Sequence, residues 1–125
     1  MKNINLEKLE DRIEWSLEIS PSDIPIEGNC LASGDDDADR EAEEAIRSQL
    51  NSGNEAAWCD VTVKARLRGT SLEVWDDLGA CSYSSEEELR KELLPEMKRN
   101  CVDLLRNELR TVSDILTALT EEDRS

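Results

Sequence analysis

The side chains most able to do chemistry in this chain are carboxylates. Between Asp35 and Glu44 only Ala38, Arg40 and Ala42 interrupt the acids. Three kinds of chemistry fit such a run: a metal loop, the start of a helix, or a surface that attracts cations. Asp35, Asp37 and Asp39 match the opening of a D-x-D-x-D calcium loop. That loop next needs a glycine to turn and a glutamate to close the coordination sphere. Arg40 and Ile46 stand at those places, and a guanidinium opposes a bound cation. No metal and no cofactor is expected. As a helix start the run makes sense, because Ser33, Asp35 or Asp36 can cap and acids suit the positive end of the helix dipole. A cap and a first turn need only about two or three acids, however. The surplus among Asp35, Asp36, Asp37, Asp39, Glu41 and Glu44 makes this run a candidate partner-binding surface.

The remaining reactive residues suggest little catalysis. The chain has no histidine, so the commonest acid/base group and triad partner is missing. It has neither a Gly-rich phosphate loop nor a G-x-S-x-G elbow. Cys30, Cys59, Cys81 and Cys101 are far apart, which suits free thiols better than zinc ligands or a disulfide framework. Lys64, Arg66 and Arg68 lie near Trp58 and Trp75 and loosely resemble a nucleic-acid platform. Thirty acidic against fifteen basic residues, net −15, argue against direct contact with nucleic acid or anionic membrane. The same charge favours a basic partner, or serves solubility alone. The reading is a non-enzymatic protein.

The elements that must position these residues follow from periodicity. In RIEWSLEIS, Ile13, Trp15, Leu17 and Ile19 alternate with polar residues, which predicts a strand over Ile13–Ile19 after a short helical or irregular lead-in. Leu6, Leu9, Ile13 and Leu17 also fit a helix. SPSDIPIEGN reads as a long ordered loop held down by Ile24 and Ile26, which are expected to tuck into the core. The acidic run then opens a helix whose apolar side carries Ala38, Ala42, Ala45, Ile46 and Leu50, and which Gly53 ends. AAWCDVTVKARLRG is the clearest strand. It turns at RGTS into a second strand, with a bulge or kink near Gly79. Parity places Trp58 and Trp75 away from the aliphatic face, either beneath another segment or as an exposed hot spot. Ser84 or Ser85 caps a short helix to about Leu93, and Pro95 suits the first turn of a long helix to about Leu119.

The resulting order, β-α-β-β-α, predicts a two-layer α+β domain with a small antiparallel sheet and two helices on one face. One domain spans residues 1–125. Its core is expected over about 13–110, and 111–125 form a helical extension and a frayed tail. The stripe of the last helix continues through Val112, Ile115, Leu116 and Leu119, past what a small sheet can cover. That suits self-association as a homodimer. The amino-terminal residues are charged throughout, and no apolar run approaches membrane-spanning length, so the expected setting is the cytoplasm.

Three blocks, DIPIEGNCLASGDDDADREAEEAI, AAWCDVTVKAR and LGACSYSSEEEL, resemble those of a family of small acidic proteins of bacteriophages and mobile elements. The resemblance covers roughly residues 13–105. RKELLPEM stands where such proteins often carry a Gly/Tyr-rich insert, and the segment after Arg110 is additional. No activity and no catalytic residue carries over. The resemblance implies a phage-type accessory protein inside a bacterial cell. Such a protein is expected to bind and inhibit or modulate a host nucleic-acid-binding defence machine, of the CRISPR-effector or restriction-enzyme kind, by presenting acid to a basic groove. The competing expectation is a homodimeric structural or accessory protein whose charge serves solubility.

Overall fold

Alternation of apolar and polar residues sets the sheet. In the computed structural model, which describes residues 8–124, three strands form one antiparallel sheet in the order β1-β2-β3. They are β1 (Ile13–Pro21), β2 (Cys59–Leu67) and β3 (Glu73–Cys81). A short 3-10 turn, Leu9–Arg12, leads into β1. Leu6, on which the competing helical reading depends, lies outside the described residues. Ile13 pairs with Leu67 and Pro21 with Cys59, so β1 runs the full length of β2. On the other side Cys59 pairs with Cys81 and Val61 with Leu78. Asp60 therefore faces two residues, Gly79 and Ala80, in a β-bulge. Ala80 takes a positive φ of 53° there, and the Asp60 carboxylate accepts its N–H at 3.0 Å. The kink expected at Gly79 is this bulge.

The inner face buries Ile13, Val61, Val63, Ala65 and Val74 against two helices, α2 (Glu86–Glu92) and α3 (Leu94–Arg124). Leu89, Leu93, Met97, Cys101, Val102 and Leu105 supply the helical side of the core. Ser85 caps α2 by accepting the Glu88 N–H at 3.1 Å. Pro95 falls in the first turn of α3, where its missing N–H leaves no ladder bond unmade. The Asn100 amide donates to Asp76 at 3.0 Å and ties α3 to β3 at the rim. The α+β two-layer architecture with a long C-terminal helix is thus as expected. The helix runs on to Arg124, through residues read from sequence as a frayed tail.

Helix α1 (Asp36–Asn51) departs from expectation. It adds no residue to the main core, which α2 and α3 alone complete. Of its expected stripe, Ala38, Ala42, Ile46 and Leu50 are only half-buried and Ala45 is exposed. The one buried residue of α1 is Glu43, whose carboxylate accepts the Gly28 N–H at 3.0 Å. The two helices on the sheet are therefore α2 and α3, while α1 is moored to the loop before it. A stripe built largely of alanine offers little area to bury, which explains the weak docking.

Candidate functional site: an acidic helix start and an open sheet face

Two regions carry the residues singled out by sequence. The first is the start of α1. Asp35 caps the helix by accepting the N–H groups of Asp37 and Ala38 at 3.1 and 3.3 Å. Asp39 accepts from the Ser33 backbone at 2.9 Å and from its hydroxyl at 2.7 Å. Those donors hold the Asp39 carboxyl below its usual range. Asp35 and Asp39 thus shape the entry to the helix. Asp36, Asp37, Glu41 and Glu44 are exposed and make no such bond. The described residues contain three ion pairs, Glu14–Arg66, Glu86–Arg90 and Asp103–Arg106, and none involves α1. The surplus acids stand in solvent and form no ion pair among the described residues.

The second region is the outer face of the sheet, opposite α2 and α3. Residues of even number on β2 project there, as parity demands. At one end the loop after β1 covers this face. The Trp58 indole N–H donates to the Ile24 carbonyl at 2.7 Å, and Trp58 is only 4 % exposed. A side-chain carbon at Gly79 would lie 3.3 Å from Ile24, so the absent side chain makes room for the loop. This corrects Trp58 as a contact residue: it is the anchor beneath the loop. Ile24 is nevertheless 42 % exposed and neither it nor Ile26 joins the core, because the loop lies on the outer face of the sheet while the core fills the inner one. Trp75 is 55 % exposed on the part the loop leaves open.

Strand register builds the surroundings of Trp75. Glu14, Arg66 and Glu73 form one cross-strand row, Ser16, Lys64 and Trp75 the next, and Glu18, Thr62 and Asp77 a third. Arg66 is engaged by Glu14, whose carboxyl is held below its usual range by that bond and charge. Arg68 donates to the Asp11 carbonyl at 3.1 Å, and Thr62 donates to Asp77 at 2.7 Å. A shallow hollow of about 320 Å³ lies among Glu18, Thr62, Lys64, Glu73, Trp75 and Asp77. The three cations of the hairpin are therefore interleaved with carboxylates and do not form a basic platform. Glu18, Glu73 and Asp77 were not among the residues expected to matter. The register that gathers them depends on which strands pair, and the alternation within one strand does not specify that.

A larger concavity, about 520 Å³, borders the inner side of β1 between Leu17, Ile19 and the start of α2. Glu55, Ser84, Glu86 and Arg90 lie on its rim, with Arg90 paired to Glu86. Trp15 lines a separate hollow of about 150 Å³, with the Lys98 ammonium 5.2 Å from its ring centre. Cys59, Cys81 and Cys101 are buried free thiols and Cys30 is half-buried. Burial pushes Cys59 and Cys101 up to about 11, which opposes the thiolate a nucleophile requires. Among the described residues no helix is long and apolar enough to cross a membrane. Compared with family models, curated proteins and solved structures, the chain matches none.

Proposed function

We propose that this protein is a non-enzymatic binding protein whose acidic surface engages a basic partner, of the kind that itself binds nucleic acid. One observation carries the reading: Asp36, Asp37, Glu41 and Glu44 stand exposed along α1 without an ion pair among the described residues. Carboxylates spaced along a helix end offer a basic groove repeated negative charge, as a phosphate backbone does. Trp75 adds a second contact suited to the same partner. An exposed indole ringed by Glu18, Glu73 and Asp77 can hold an arginine or lysine by its ring face and by charge. The resemblance to phage and mobile-element proteins supports a bacterial cytoplasmic setting and a host defence machine as the target.

The test is capture from bacterial lysate on the immobilised full chain. Three variants are compared: wild type, the reversal of Asp36, Asp37, Glu41 and Glu44 to lysine, and Trp75→Ala. The wild type should retain nucleic-acid-binding proteins that duplex DNA displaces. The reversal should slow their association, and Trp75→Ala should speed their release. If the retained proteins bind all three variants equally and DNA does not compete, the charge serves solubility and the proposal fails.

A further inference from the structure

The last third of α3 has no role in the core. Leu105 is fully buried and Leu109 packs at the core's edge, but Val112, Ile115, Leu116 and Leu119 are each 44–53 % exposed. The stripe that lies on the sheet simply continues past it. Its spacing is that of a heptad seam: Leu105, Leu109, Val112, Leu116 and Leu119 alternate steps of four and three. With Leu104, also exposed, the uncovered apolar surface is on the order of 400 Å² per copy, the size at which a patch on a monomer is usually functional.

Charge identifies the occupant. Residues Leu94–Leu119 hold four carboxylates (Glu96, Asp103, Glu108, Asp114) and four cations (Lys98, Arg99, Arg106, Arg110). The helix is neutral over this length, and its last turn adds Glu121, Glu122, Asp123 and Arg124, so α3 carries only −2 of the net −15. A basic partner would find little here of the charge that α1 offers. A neutral leucine seam suits an identical seam. We infer that the exposed end of α3 pairs with the same helix of a second copy, antiparallel, about a two-fold axis near Leu116, which leaves the covered Leu105 and Leu109 out of the contact. Orientation also follows from charge. A parallel pair would set two strongly acidic bodies side by side, whereas an antiparallel pair holds them at opposite ends of the joined helices. Pairing buries about 800 Å² of apolar surface from the two copies, and the polar flanks bring the contact to the low end of the range for specific interfaces, ~1,200 Å².

The experiment is sedimentation equilibrium on the full chain at tens of micromolar. A mass twice the 14.1 kDa of one chain is expected, and a monomer overturns the inference. Leu116→Asp with Leu119→Asp should raise the dissociation constant about 100-fold while the circular dichroism of the body is kept. Ile115→Asp gives a second variant of the same seam, and an unchanged mass for both overturns it. Orientation is read in a Cys30→Ser background by mild oxidation of Leu116→Cys and, separately, Val112→Cys. The antiparallel pair cross-links at 116 and not at 112, whereas equal cross-linking at both overturns the orientation. The α1 reversal should not lower the mass, which keeps this result distinct from partner binding.

Discussion

Trp58 and Trp75 show how far a residue's neighbours decide its role. Both have outward parity, yet one is roofed by the Ile24 carbonyl and the other stands in solvent. The strained residue of the β-bulge, Ala80, holds a left-handed conformation that costs an L-residue about 1–2 kcal/mol. Glycine avoids that cost and loses part of the gain to chain entropy, so Ala80→Gly should stabilise the fold by roughly 0.5–1 kcal/mol in a denaturant titration. The thiols allow a second measurement. With Cys59 and Cys101 up to about 11, alkylation at pH 8 should label Cys30 first and the buried three only on unfolding. The same shift sets a pH dependence. Below pH 9 both states keep these protons. Between pH 9 and about 11 the unfolded chain releases protons that the folded chain retains, so stability should fall as pH rises through that window.

At the scale of elements, the strands, the cap of α1 and the break at Pro95 were legible because each rests on local periodicity or local hydrogen bonding. The mooring of α1 was not. Its alanine stripe reads as a core face, and only tertiary competition shows that α2 and α3 fill the sheet first. The Trp75 surroundings were hidden for a related reason, since register is a property of pairs of strands. Helix α3 divides into two halves that should respond differently to the same substitution. Leu105→Ala leaves a cavity in the core and should cost about 2–5 kcal/mol. Leu116→Ala, measured at concentrations where the chain is monomeric, should cost no more than about 0.5 kcal/mol. Asp35→Ala removes the acceptor for two N–H groups at the start of α1 and should cost about 1 kcal/mol. Because α1 is outside the core, that loss should appear first as faster amide exchange in its opening turn.

For the whole molecule the governing quantity is a charge of −15 spread over a small body with three ion pairs among its described residues, all at exposed side chains. Exposed pairs of this kind contribute about 0–1 kcal/mol each, so repulsion among unpaired carboxylates is the larger effect. Salt should act in opposite directions on the two associations proposed for this chain. From about 10 mM to 150 mM salt the screening length falls from roughly 30 to 8 Å. Capture of a basic partner by α1 and Trp75 relies on attraction between exposed charges, so it should weaken, mainly through a slower association rate. Self-pairing through α3 joins two neutral seams while their acidic bodies repel. Screening should therefore tighten the dimer and raise the thermal midpoint of the fold over the same range. A salt titration followed in parallel by partner-binding kinetics, sedimentation and thermal unfolding checks all three. If partner binding and self-association moved in the same direction with salt, a single surface would serve both, and the division of labour between α1 and α3 would be wrong.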